Sequence, residues 1–147
     1  MPFQNIGAMR DAVQKHFNDA WTAAYTSTPP APFIAWQDTN APTPKDSESW
    51  VRFMWKHKVG FQATINTPGN RRFRDKGTLT IEVRSPTGGG LTDSDTMVNN
   101  VQAIFEGQNV GGTDGVIFRN VTPVEFGHDG TWFLVNVNVD FEYDRIR

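Results

Sequence analysis

The chain has 147 residues, a formal charge of −2 and no cysteine, which excludes disulfides and thiolate metal sites. Its length predicts a single domain, 1–147, with a core that needs no covalent staple. Mean hydropathy is negative, no stretch approaches the ~18 apolar residues of a membrane span, and Met1 to Arg10 lacks a signal-peptide apolar run, so a globular intracellular domain is expected.

Ile6, Met9, Val13, Phe17, Ala20 and Ala24 recur at spacings of three and four, with Trp21 beside them. That period predicts an amphipathic helix over Ile6–Ala24. Asn5 supplies an N-cap, and Pro29-Pro30 forbids continuation. Phe33–Gln37 follows as a short strand, and the polar, proline-rich residues 38–48 as a loop. From Trp50 the period changes to two. Val51, Phe53 and Trp55 take one face, while Arg52, Lys56 and Lys58 take the other with Met54, which predicts a strand with one wet face. Thr67-Pro68-Gly69-Asn70 carries a turn signature. Leu79, Ile81 and Val83 then alternate with Thr78, Thr80, Glu82 and Arg84, giving another strand. The connection between these two strands exceeds what a tight hairpin requires. Either the strands extend, or residues 58–77 form a basic arm.

Gly88-Gly89-Gly90 ends the strand, and Thr92 is expected to cap a second helix, Ser94–Glu106. Asp93 and Asp95 suit its positive end, Met97, Val101, Ile104 and Phe105 form its apolar stripe, and Gly107 closes it. Two last strands complete the chain. Val116–Phe126 is interrupted near Pro123, and a turn at Gly127–Gly130 leads into a long strand with Phe133, Val135, Val137, Val139, Phe141 and Tyr143 on one face. Short connections make neighbouring strands antiparallel. The expected class is α+β: a mainly antiparallel sheet with two amphipathic helices on one face.

Charge is unevenly spread. Arg52, Lys56, Lys58, Arg71, Arg72, Arg74 and Lys76 are seven of the 14 basic residues and lie within 49–81, where Asp75 is the single acid. The remainder is correspondingly acidic. Such a segment can dock on an acidic surface of a neighbouring subunit, with Lys56, Lys58, Arg71, Arg72, Phe73, Arg74 and Lys76 as contact residues. Alternatively its arginines can neutralise phosphates while Phe73 stacks on a base, or its charges can keep an edge soluble. The overall negative charge argues against a dedicated nucleic-acid binder.

Catalytic chemistry finds little support. His16, His57 and His128 are scattered rather than convergent. Asp93, Asp95 and Asp114 suggest a divalent-cation cluster, but helix capping accounts for the first two. Gly88-Gly89-Gly90 lacks the Gly-Lys-Ser/Thr ending of a phosphate loop, and no Gly-x-Ser-x-Gly occurs. Asn120-Val121-Thr122 matches a glycosylation sequon by chance. No enzyme, metal or cofactor is expected.

The layout resembles the tail terminator, or tail completion, proteins of long-tailed bacteriophages. The likeness lies in the opening helix Ile6–Ala24, the proline-flanked strand Phe33–Gln37, the strand pair around 50–85 and the central helix. It also lies in the closing run Gly130-Thr131-Trp132-Phe133-Leu134-Val135, which ends in Asp140-Phe141-Glu142-Tyr143. The resemblance implies a virion protein that forms a ring, expected to be hexameric, at the head-proximal end of the tail tube. There it would stop tube polymerisation and join a head-completion or connector protein, after assembly in the host cytoplasm. DNA would pass through the ring without specific binding, and no membrane is involved. The alternatives are a nucleic-acid-binding module using the basic segment, or another neck component such as a head-closure or adaptor protein.

Overall fold

A computed structural model describes residues 2–40, 42–112 and 114–147. Helix α1 spans Ile6–Ala24, and Asn5 caps it by accepting the Ala8 N–H at 2.9 Å. Its stripe of Met9, Val13, Phe17 and Trp21 is fully buried. Helix α2 spans Thr92–Phe105. It begins earlier than its composition suggests, so Thr92 lies inside the first turn. Leu91 occupies the cap position with no side-chain bond, and the expected threonine cap does not form. Asp93 and Asp95 do sit in the first turn, and Gly107 follows the cap residue Glu106 at a φ of 66° that favours glycine.

One six-stranded sheet backs both helices. Its strands are β1 (Phe33–Trp36), β2 (Trp50–Gln62), β3 (Arg72–Pro86), β4 (Asn109–Val110), β5 (Val116–Asp129) and β6 (Trp132–Ile146), in the order β1-β2-β3-β6-β5-β4. All neighbours are antiparallel except the first pair. β1 runs parallel to β2, with Phe33 opposite Trp50 and Trp36 opposite Phe53. The antiparallel rule fails there because the proline-rich stretch after Trp36 is long enough to carry the chain back to its starting level.

The two-residue β4 is absent from the sequence reading. β5 also runs past the expected Gly127 turn to Asp129. Its pairing with β6 slips twice, between Arg119 and Thr122 and between Glu125 and Gly127. Pro123 itself is paired opposite Val137. Because β4 covers β5 only at Val116 and Ile117, the missing proline N–H faces the unpaired side and costs no ladder bond.

Alternation splits the sheet into a dry face and a wet one. Val51, Phe53, Leu79, Ile81, Val83, Val135, Val137 and Val139 are buried beneath the helices. Phe17 sits at the centre. It stacks on Trp21 at 5.5 Å and Phe105 at 5.9 Å, and meets Phe53 edge-on at 5.1 Å and Trp36 at 6.2 Å. Aromatic pairs in such geometries add to the burial of their area.

Candidate functional site

The basic residues lie at one end of this sheet. β2 continues to Gln62 opposite Phe73, and β6 follows β3 to Ile146 opposite Arg72. The strands therefore extend, and only residues 63–71 form a loop. That loop is tied at its base: Ala63 N–H donates to the Arg72 carbonyl at 2.7 Å, and Arg72 N–H to Thr64 Oγ1 at 2.9 Å. Arg71 and Arg147 exchange backbone bonds at 2.9 Å each, while Asn70 N–H closes the expected turn on Thr67 at 3.0 Å. Ile65, in this loop, is fully exposed.

β6 brings the acids that the local sequence lacks. On the wet face Arg74 stands opposite Asp144, Lys76 opposite Glu142, Thr78 opposite Asp140 and Thr80 opposite Asn138. Arg74 grips Asp144 with two bonds of 2.8 and 3.1 Å, and Arg72 adds a third at 3.3 Å. Arg72 also lies 3.5 Å from Asp114, and Lys76 lies 3.5 Å from Glu142. Thr78 donates to Asp140 at 3.2 Å and Thr80 to Asn138 at 2.9 Å. The hydrogen bond from Arg74 holds the Asp144 carboxyl below its ordinary range, and the same bond holds the Arg74 guanidinium protonated more firmly. Cross-strand pairs of opposite charge stabilise a sheet face.

The seven expected contact residues therefore divide. Arg72, Arg74 and Lys76 pair with acids of β6, and Arg72 also with Asp114 in the loop before β5. Phe73 is half-buried, with the Arg145 guanidinium over its ring at 5.9 Å. Arg71 donates Nε–H to the Asn66 carbonyl at 2.9 Å. Lys56 and Lys58 are exposed, and no ion pair among the described residues involves them or Arg71. Asp140, Glu142, Asp144 and Arg145 are the members that the sequence reading missed. The available signal was the period-two acid run on β6, which mirrors the bases of β3.

A bulge separates His57 from Val59 in the pairing of β2 with β3, and Lys58 occupies it. Before the bulge, Val51, Phe53 and Trp55 point into the core. After it, Val59 pairs with Lys76 and Phe61 with Arg74, so both apolar side chains fall on the wet face, and the Lys76 ammonium lies 5.9 Å from the Phe61 ring.

Behind this end, on the dry face, polar groups replace the apolar core. His57 Nε2 lies 3.1 Å from the Tyr143 hydroxyl, and Arg145 pairs with Asp75 through its Nε and at 3.3 Å through Nη2. Burial, with the nearby Asp75 charge adding, pushes the Tyr143 phenol up to about 12. Burial also lowers the His57 imidazole, assisted by the Arg10 charge. His16 meets the Ile104 carbonyl at 3.0 Å, and the His128 ring lies edge-on to Phe133. Among the described residues no group of three His, Asp or Glu side chains converges on a common point, and no helix is long and apolar enough to cross a membrane.

No curated protein matches the chain. A solved structure 18% identical superposes with a TM-score of 0.64, covering 90% of this chain and 94% of its own, a likeness that shows the fold alone. The model of the phage tail terminator protein family matches residues 8–141, which run from the start of α1 into β6. The chain thus belongs to the phage tail terminator family, and is a bacteriophage protein of the tail and neck region.

Proposed function

We propose that the chain closes into a homo-oligomeric ring, hexameric as the family resemblance implies, at the head-proximal end of the tail tube. There it halts tube growth and offers the surface on which a head-completion or connector protein joins. The family match over residues 8–141 carries this reading. A closed ring needs a heterologous, head-to-tail contact between copies, and the exposed Lys56, Lys58 and Lys76, with Arg71 in the loop beyond the strand ends, suit such a contact or one with the tube protein. The role is assembly rather than catalysis, and it needs no cofactor. The protein assembles in the host cytoplasm and stays at the head-proximal end of the tail, where DNA crosses the hole without specific binding.

The ion-pair ladder weighs against a nucleic-acid module. A phosphate approaching Arg72 or Arg74 must displace Asp144, and Phe73 already lies under Arg145. Negative-stain imaging of a phage lacking this gene tests the proposal. Abnormally long tails, not joined to heads, are expected. Normal tails joined to heads would overturn it, and normal-length tails that never join heads would point instead to a head-closure or adaptor component. For the nucleic-acid reading, Arg71→Ala with Arg74→Ala would reduce the salt slope of DNA binding by about two. Retention of the wild-type protein on DNA at low salt is not expected.

A further inference from the structure

Two opposite edges of the sheet each carry an exposed apolar pair beside charge of one sign. On β2 the bulge turns Val59 and Phe61 outward, 53% and 45% exposed, next to Lys56 and Lys58. On β5 the second slip falls at Phe126, which is 62% exposed; Val124, opposite Asn136 on the wet face, is 39% exposed, and Glu125, opposite Val135, is exposed on the other side of the strand. β3 and β6 lie between these strands, so the two edges are about 14 Å apart at ordinary strand spacing. They also lie at opposite ends of the strands. Val59 is level with the start of β5 through Lys76 and Glu142, whereas Val124 is level with Asn136 and so with Glu82 and Arg52.

Neither patch has an internal use. Buried apolar side chains are plentiful elsewhere, and a large apolar pair left in water beside unpaired charge has the anatomy of an interface centre with its rim. No ion pair among the described residues involves Lys56, Lys58 or Glu125. The patches differ from each other, are opposite in sign and cannot meet within one chain.

We propose that the Val59–Phe61 patch of one copy packs on the Val124–Phe126 patch of the next, with Lys56 and Lys58 facing Glu125. This proposal rests on the ring reading and names the surfaces that would build it. Because the two surfaces are unlike, each copy keeps one free for the next, and the contact propagates head to tail until the rotation closes. The bulges, with Pro123 on β5, leave both edges irregular, so the contact is made by side chains rather than by continuing the backbone ladder.

The chain has no cysteine, so introduced thiols report without background. Phe61→Cys with Phe126→Cys in the full-length protein, treated with a short bismaleimide, should give a ladder of covalent multiples that ends at the ring number on a denaturing gel. Either single variant should give none, and Leu91→Cys with Phe126→Cys, using an exposed residue outside both patches, should stay at the collisional background. A dimer from Phe61→Cys alone, or a ladder from the Leu91 pair as strong as the test ladder, overturns the contact. If light scattering finds an oligomer but the double variant gives no ladder, the contact falls while the ring stands. A protein that is monomeric at every concentration and gives no ladder overturns the ring reading, and the contact with it.

Discussion

Asp144 accepts bonds from both Arg72 and Arg74 while itself being buried. Asp144→Asn keeps the shape but leaves Arg74 short of a counter-charge and Arg72 with Asp114 alone. The arginines are partly exposed, so solvent screening reduces the loss, and the expected destabilisation is about 1–2 kcal/mol by chemical denaturation. Phe17 is a sharper case. Its ring touches four other aromatics and is fully buried, so Phe17→Ala is expected to cost about 3–5 kcal/mol. Phe61→Ala, on the wet face, should stay within about 0.5 kcal/mol in the isolated chain.

His57 sets the response to mild acid. Its folded imidazole titrates below the ordinary 6.5 because burial, and then Arg10, disfavour the charged form. Just below pH 6.5 the unfolded chain therefore binds more protons than the folded one, and stability falls on acidification until the folded value is passed. Asp144, held below its ordinary 3.8, adds a second loss that starts near that value and grows as pH falls further. A melting-temperature profile against pH should show both declines. His57→Gln keeps a hydrogen-bonding side chain toward Tyr143 and should abolish the first decline while leaving the second.

At the scale of elements, close strand approach at Gly77 is decisive. A Cβ there would run into the Lys56 carbonyl oxygen on one strand and the Phe141 ring on another. Gly77→Ala should therefore lower stability by about 1–3 kcal/mol or more, measured by urea unfolding. The same region shows what the sequence could and could not disclose. α1 was legible end to end because its signals are local: an apolar stripe at helical spacing, an asparagine cap and a proline stop. β2 and β3 were legible where one face is dry. Their continuation was not, because Arg74 meets its acid seventy positions away, and nothing in a local window distinguishes a solvated basic loop from half of an ion-pair ladder. β4 is too short to show a period, and Thr92 misled because the helix starts at the very residue that would cap well, leaving Leu91 in the cap position. The bulge at Lys58 was hidden for a different reason. Alternation in the sequence carries no mark of the extra residue, so nothing local announced that Val59 turns to the wet face.

For the molecule as a whole, the stretches of β2 and β5 that the short β1 and β4 leave uncovered matter beyond their place in the sheet. β5 carries Pro123 and two slips in register, and β2 carries a bulge with lysines on either side of His57. An incoming extended segment finds neither border straight enough to zip onto. A protein whose proposed task is to end the growth of a polymer is thus built so that its own sheet does not seed one. Straightening the border should remove that safeguard: Pro123→Val is expected to leave the fold intact yet raise light scattering and dye-binding fibril formation during incubation at elevated temperature, at concentrations where the wild-type protein stays clear.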